Sequence, residues 1–464
     1  MAPDEQLVDE TPAKPGIREP GSSEAPRQSW WQAVRPLVLR LHFYAGVLVA
    51  PFLVVAALTG LLYVFTPQLE QHVYDHELHV PPAATSHPLT AQVEVARAVR
   101  PGDSLKSVRP APTPTDTTQV IFNAPDLPES YRRTVFVDPH TLEVRGVLDT
   151  YGSGQALPLR AWVDNLHRGL HLGDAGRLYS ELAASWLWVV VLGGLALWIA
   201  RRRPRRRLRA VLAPEVRRAG RRGTLSWHGA TGVWLALGLL FLSATGLTWS
   251  VHAGENIGAL RESLSWETPT VPTELPARST ARGDVGFDRV REAAAEHGIT
   301  GAVEIAPPED GGAYTVQQVQ RHWPTQQDSA AVDPASGAVT ATLRFADYPL
   351  MAKLSRWGID AHMGLLFGWV NQLVLLVLGL GLTAMVFWGY RMWWLRGPAS
   401  GFGRLPARGA WRRVPGRVMA PVILVAAFVA YALPVFGASL LLFLAVDAGL
   451  VALARRTADP TPGA

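Results

Sequence analysis

The stretch HFYAGVLVAPFLVVAALTGL, residues 42–61, decides the fold because the chain contains a second version of it. The second version is HGATGVWLALGLLFLSATGL, residues 228–247, and both keep a His, a Gly four residues later and a closing Thr-Gly-Leu. Each is apolar over enough residues to cross a bilayer, which takes about 20. The sequence therefore predicts two equivalent membrane helices, one opening each half of a duplicated protein.

A second set of motifs repeats further along each half at one constant spacing. Asp138-Pro139 matches Asp333-Pro334, and His167-x-Gly-Leu-x2-Gly matches His362-x-Gly-Leu-x2-Gly. Each half therefore reads as a helix, a polar segment and a second helix. A parallel repeat of this kind is related by an axis along the membrane normal, so we expect matching residues to face each other across that axis.

Composition excludes several classes of protein. The chain has 464 residues, of which 48% are hydrophobic and 18% charged, against about 25% charged in soluble domains, which argues against a soluble enzyme. It has no cysteine, which excludes disulfides, iron–sulfur clusters, thiolate zinc sites and haem attached through cysteine. The net charge of +6 comes with arginine-rich blocks at 201–222 and 391–417 that adjoin apolar runs. That distribution is typical of cytoplasmic loops rather than of nucleic-acid binding.

The apolar runs and the basic blocks together predict a multi-pass protein of the cell membrane with both termini in the cytoplasm. The predicted order is a disordered tail, a first span, a first exterior segment, a second span, a basic loop, a third span, a second exterior segment, a fourth span, a basic loop and a two-span hairpin: 1–29, 37–65, 66–180, 181–200, 201–224, 225–251, 252–361, 362–394, 395–417 and 418–454. Within the exterior segments, helices are predicted at Leu89–Val99 and Phe287–His297 and strands at Gln119–Asn123, Arg133–Val137 and Tyr314–Val319.

Four histidines occupy duplicated positions and are the candidate site. His42 and His228 lie at the cytoplasmic ends of their helices, and His167 and His362 lie on the outer side. Haem iron takes two axial imidazoles in electron-transfer cytochromes, so one pair in each leaflet predicts two haems. Zinc, which usually needs four ligands, and a proton relay are the alternatives. His171 is a second candidate for the outer ligand, but the second half has Leu at the matching position, which favours His167.

The remaining histidines are weaker candidates. His252 ends the third span and has no counterpart in the first half, so we interpret it as an interfacial residue. His72, His76 and His79 fit one helix face and are interpreted as a solvated polar face rather than a metal site.

At these residues the chain resembles the PepSY-associated transmembrane family, the iron-regulated membrane proteins that include ferric-siderophore reductases. The resemblance rests on four membrane segments and on two exterior ones, which read LHFYAGVLVAPFLVVAALTGLLYVF, NLHRGLHLGDAGRLYSELAASWLWVVVLGGLALW, WHGATGVWLALGLLFLSATGLTWS, AHMGLLFGWVNQLVLLVLGLGLTAMVFWGYRMWW, VFVDPHTLEV and AAVDPASGAV. It implies an α-helical integral membrane protein with two extracytoplasmic α+β PepSY-like domains around a four-helix core that carries haem b. The C-terminal hairpin lies beyond that core.

The resemblance also implies a function: transfer of electrons outward to a ferric siderophore or another extracytoplasmic iron chelate. The haem-ligand role carries over to His42, His228, His167 and His362, with His171 as the alternative. The sequence has no dinucleotide-binding motif, so the electron donor is expected to be a separate cytoplasmic flavin reductase or a membrane quinol. A non-enzymatic PepSY regulator that binds or restrains a protease or sensor is the rival hypothesis, and a transporter is a second one.

Overall fold

The fold is that of a computed structural model, which describes residues 29–201, 208–275, 283–396, 409 and 414–458. It combines a bundle of apolar helices with a separate antiparallel sheet. Nearly all of the predicted tail at 1–29, and parts of the predicted basic loops at 201–224 and 395–417, lie outside the described residues.

The apolar helices form the bundle, and shorter helices connect it to the sheet. The apolar helices are α1 (Trp30–Leu48), α2 (Ala50–Val64), α7 (Gly173–Arg201), α9 (Gly220–Leu247), α13 (Gly368–Trp394), α14 (Gly416–Ala432) and α15 (Pro434–Ala458). The shorter ones are α3 (Thr66–Val73), α4 (Asp75–Leu78), α5 (Leu89–Val99), α6 (Pro158–Gly169), α8 (Arg209–Leu212), α10 (His252–Ser263), α11 (Gly286–Glu296) and α12 (Leu350–His362), with a 3-10 turn at Phe345–Asp347.

Length and hydropathy identify the chain as a multi-pass membrane protein. In the part of the chain that the structure describes, four helices are each long and apolar enough to cross a bilayer, namely α7, α9, α13 and α15. The pair α1 and α2 passes the same test only when taken together, and α14 is apolar but shorter. The bundle is a ring of contacts among four units, namely the pair α1–α2 and the single helices α7, α9 and α13. An apolar core lies between them.

The first predicted span is bent by 56° where α1 gives way to α2. Pro51 lies in the first turn of α2, and its ring removes a backbone N–H and prevents a straight continuation. The helices of the second and fourth spans differ from the predicted bounds in opposite directions: α7 begins earlier, at Gly173 rather than at residue 181, and α13 begins later than residue 362. His362 ends the separate helix α12, and the fourth span starts at Gly368.

The C-terminal hairpin is attached to the core by polar contacts as well as apolar ones. The Trp186 indole N–H donates to the Ser439 hydroxyl over 2.9 Å. Arg40 of α1 and Asp447 of α15 form an ion pair in which both side chains are buried. Ionisable groups at membrane depth are costly unless they are paired, so this pair fixes α15 against α1.

The polar segments of both halves build one eight-stranded antiparallel sheet. Its strands are β1 (Leu105–Arg109), β2 (Thr118–Phe122), β3 (Tyr131–Val137), β4 (Val144–Tyr151), β5 (Val303–Ala306), β6 (Tyr314–Gln318), β7 (Ser329–Val332) and β8 (Val339–Leu343). The order is β4-β3-β2-β1-β5-β6-β7-β8, so each half gives a four-stranded meander and the two meet at β1 and β5. The two segments predicted as exterior domains therefore share one sheet, and α5 and α11 share one apolar core beneath it.

Side chains reinforce the junction between the two meanders. Val108 of β1 pairs with Ile305 of β5. Glu304 accepts hydrogen bonds from the Ser107 hydroxyl at 2.6 Å and from Arg109 Nε at 2.8 Å. On the helical layer, the Asp288 carboxylate of α11 accepts the Leu89 and Thr90 backbone N–H groups at the start of α5, where the helix dipole favours a negative charge.

We predict that Asp447→Ala destabilises the protein by about 3–5 kcal/mol, because it leaves the buried Arg40 guanidinium without this carboxylate. Thermal unfolding of the protein in neutral detergent measures the effect. Glu94→Ala is the control, because Glu94 pairs with Arg97 where both side chains are about half exposed, and such pairs contribute at most about 1 kcal/mol. Equal losses in the two variants would contradict the buried pair's role.

Candidate functional site

The first pair of duplicated histidines, His42 of α1 and His228 of α9, meets inside the bundle. Their ring centroids are 6.3 Å apart, and the ring planes are inclined by 76°. Each Nδ1 lies beside a backbone carbonyl of the next helix: His42 at 2.9 Å from the Val190 oxygen, and His228 at 3.1 Å from the Met385 oxygen. A carbonyl only accepts, so Nδ1 carries the proton and Nε2 keeps its lone pair.

The second pair, His167 and His362, lies at the end of the bundle nearest the sheet, which we call the sheet end. His167 Nδ1 is 3.0 Å from the Thr59 hydroxyl, and His362 Nδ1 is 2.6 Å from the Thr245 hydroxyl. Each Thr hydroxyl already donates to a carbonyl one turn earlier in its helix, at 2.8 Å. Each hydroxyl therefore accepts from Nδ1, and Nε2 again keeps its lone pair.

All four histidines thus have the same hydrogen-bonding state. No hydrogen bond engages Nε2 of any of them among the described residues. Fixing Nδ1 with a second group orients the ring and leaves Nε2 as a ligand, which is the arrangement that metal-binding histidines use. In each ring, Nε2 is therefore the nitrogen that remains for a further contact.

Two duplicated glycines give two of the rings their space. A Cβ on Gly194 would lie 2.9 Å from His42 Cε1, and one on Gly60 would lie 3.1 Å from His167 Cε1. Gly46 and Gly389 have no such neighbour within 4 Å. Only part of the glycine pattern in the repeat therefore makes room for the site.

The other candidate histidines lie elsewhere. His171 is exposed, has a left-handed backbone and stacks near Trp162, with its Nε2 3.0 Å from the Trp162 carbonyl oxygen. His252 begins α10, and its backbone N–H donates to Glu181. His76 contacts Arg145, and His79 contacts Gln71. No group of three or more His, Asp or Glu in the described ranges has the arrangement of a metal site.

A cavity of about 480 Å³ opens at the sheet end, and both His167 and His362 line it. This volume lies within the range of small-molecule and cofactor sites. Its floor between the helices is apolar and includes Leu239, Leu378 and Leu382. The lining does not include His42 or His228, so the two histidine pairs occupy distinct places in the bundle.

The mouth of this cavity is lined by arginines. They come from both halves of the chain: Arg160, Arg168, Arg177, Arg321 and Arg356. Three of these arginines form ion pairs with aspartates. Asp360 bonds to Arg321 Nε at 2.7 Å and to Arg356 Nη2 at 2.7 Å, and Asp164 pairs with Arg168 at 3.2 Å. We call these five residues the arginine mouth.

Glu70 supports the arginine mouth from α3. It accepts the Leu157 backbone N–H at 2.8 Å and pairs with Arg160 at 3.2 Å. Burial raises the pKa of Glu70 to about 7, although the Arg160 guanidinium and the Leu157 N–H act in the opposite direction. The mouth is therefore more positive below neutral pH than above it.

The arginine mouth and the role of the threonines were not predicted from the sequence. Thr59 and Thr245 stood in the repeated motif, and their duplication was the signal that could have marked them as partners of the histidines. The arginines carry no such signal, because they come from separate elements and only Arg168 is next to a predicted site residue.

Comparison with known proteins adds one match. A protein-family model described as the PepSY-associated TM region matches residues 39–396. The matched range includes all four paired histidines and ends before the C-terminal hairpin. A search of curated proteins found no match.

We predict that Gly194→Ala destabilises the protein by about 1–3 kcal/mol, the usual cost of overpacking, because the new methyl group displaces a His42 ring that the Val190 carbonyl holds. Gly389→Ala is the matched control from the second half, where the added carbon meets open space. Thermal unfolding in detergent compares the two variants. Equal stability would show that the close approach of Gly194 to the ring does not matter.

A second prediction concerns pH. The folded protein holds the Glu70 proton more tightly than the unfolded chain, so this group's contribution to stability is complete below pH 4.5 and is lost as the pH rises through about 7. The stability of the wild type relative to Glu70→Gln should therefore fall by up to about 3 kcal/mol between pH 4.5 and pH 8. Thermal unfolding of both proteins across that range measures the difference, and a pH-independent difference would contradict the raised pKa.

Proposed function

Since the chain belongs to the family of the PepSY-associated TM region, we propose that it is a membrane b-type haem oxidoreductase that reduces ferric chelates. Electrons would pass from the cytoplasmic side through a site at His42 and His228 to one at His167 and His362. The acceptor would be a ferric siderophore or another extracytoplasmic iron chelate.

One observation carries this proposal: four duplicated histidines occur as two pairs, and each ring is oriented through Nδ1 with Nε2 left as a ligand. The spacing of the first pair fits the group. Two imidazoles on one metal, each with a metal–nitrogen distance of about 2 Å, have ring centroids about 6 Å apart, and those of His42 and His228 are 6.3 Å apart. The second pair lines a cavity large enough for a cofactor.

The chain's own residues have distinct tasks in this proposal. The Val190 and Met385 carbonyls and the two threonine hydroxyls hold the ligand rings in one tautomer. The leucines of the cavity floor exclude water, and the arginine mouth supplies positive charge to acidic groups at the opening. When bound, haem supplies one-electron chemistry through its iron. One electron delivered to the chelate converts Fe(III) to Fe(II), which hard oxygen ligands hold less tightly.

The donor and the orientation form part of the same proposal. We expect both termini in the cytoplasm and the sheet outside the cell membrane, so that the sheet end faces the acceptor. A separate cytoplasmic flavin reductase or a membrane quinol would supply electrons, because the sequence has no dinucleotide-binding motif.

The protein purified in detergent should contain about two b haems per chain, measured by pyridine haemochrome and by oxidised and dithionite-reduced spectra. His42→Ala and His362→Ala should each lower the content to about one, because each removes a ligand from one site only. His171→Ala is the control, since that ring lies outside the cavity, and it should retain both.

A wild-type protein without haem, despite expression with ample iron and haem precursor, would overturn the proposal. The non-enzymatic regulator would then be the working hypothesis. Loss of haem in His171→Ala with retention in His167→Ala would instead reassign the outer ligand of the first half to His171.

A further inference from the structure

We propose that the arginine mouth selects a polyanionic ferric chelate, one with catecholate or carboxylate oxygens, over a neutral one. The inference rests on the proposed function for the identity of the acceptor, but the selectivity itself is a property of binding. The selectivity depends on how exposed the arginine side chains and the carboxylates of the cavity are.

Two acids, Asp164 and Glu181, line the cavity together with the arginines, and the Asp164 side chain is 20% exposed and paired with Arg168. Asp360 is fully buried and Glu181 is 1% exposed. Glu181 is directed away from the opening, because its two oxygens accept the backbone N–H groups of His252 and Ala253 at 3.0 and 2.9 Å. Asp360 and Glu181 therefore offer few oxygens to an incoming ligand, and the Asp164 carboxylate is shared with Arg168.

The guanidinium groups, in contrast, stay partly open to solvent. The side chains of Arg168, Arg356 and Arg321 are 32%, 26% and 21% exposed. Arg321 uses Nε for Asp360 and Nη2 for the Met363 sulfur at 3.1 Å. Its Nη1 lies near the loop at Gly154, where a Cβ would be 2.9 Å from that nitrogen. This donor therefore lies against the loop at Gly154, which also lines the cavity.

Arg177 contributes positive charge through a different contact. Its guanidinium donates to the Trp249 carbonyl oxygen at 2.9 Å. Among the described residues, Arg177 forms no ion pair with a carboxylate. A carbonyl satisfies a donor without neutralising its charge. Arg177 thus adds a cation to a mouth whose other arginines share their charge with Asp164, Asp360 and Glu70.

The guanidinium groups determine which class of ligand the mouth would bind. Planar guanidinium groups bind carboxylate and catecholate oxygens through charge-assisted hydrogen bonds, which are about twice as strong as neutral ones. Low-dielectric walls strengthen the field of a cationic cleft. The cofactor proposed above would occupy the apolar floor beside His167 and His362, so the arginine mouth is the part of the cavity that accepts the anionic oxygens of the chelate.

The test uses gallium(III) complexes, which resemble ferric ones but are not reduced. Binding of a trianionic Ga(III) tris-catecholate and of a neutral Ga(III) tris-hydroxamate to the full-length protein in neutral detergent is measured by equilibrium dialysis. We expect the anionic complex to bind at least about tenfold more tightly at low salt, and the difference to shrink as ionic strength rises.

Three variants locate the effect. Arg177→Gln and Arg321→Gln should each weaken binding of the anionic complex by about tenfold, with the neutral complex changed less than about twofold. Arg145→Gln is the control, because Arg145 lies outside the cavity against His76. If Arg321→Gln misfolds because Asp360 loses a partner, Arg177→Gln still decides the matter.

Equal affinities for the two complexes, or equal effects of the variants on both, would overturn the selectivity. Loss of haem from the arginine variants with unchanged gallium affinities would also overturn it, since the arginines would then hold the acidic groups of the cofactor. Because gallium binding needs no electron transfer, its result stands apart from the haem content that tests the proposed function.

Discussion

The site depends on one hydrogen bond per histidine, from Nδ1 to an oxygen on a neighbouring helix. Two of these oxygens are backbone carbonyls and two are threonine hydroxyls, and within each pair they occupy duplicated positions. The bond sets the tautomer and the ring direction together, so four separate rings share one protonation state. Any movement of α7 or α13 along its axis would shift Val190 or Met385 and release a ring.

The duplication gives the core its symmetry, and the arginine mouth breaks it. Both halves place a histidine against a Thr-Gly pair, yet three of the mouth arginines come from the first half and two from the second. Arg321 and Arg356 share Asp360, whereas Arg168 has Asp164 to itself. The two copies have therefore kept the contacts that hold the rings and differ around the opening of the cavity.

The features that could be predicted from the sequence are those set by a local residue pattern, such as a helix or a repeated motif. The helix at Leu89–Val99 has the predicted bounds, because Leu89, Val93 and Ala96 repeat at helical spacing and are buried. The repeat also identified which histidines would stand together. The shared sheet could not be predicted in this way, since β1 and β5 pair across the two halves with no local signal. The cavity mouth depends likewise on tertiary packing, which brings arginines from several elements to one place.

The β1–β5 junction has a consequence for the order of assembly. While only the first half has been synthesised, β1 is an edge strand with unpaired backbone groups, and its partner lies far along the nascent chain. Exposed edges invite pairing with other chains, and contacts between distant residues form slowly. The first meander therefore has one unpaired strand edge until β5 has been synthesised, and during that interval it is open to pairing with other chains.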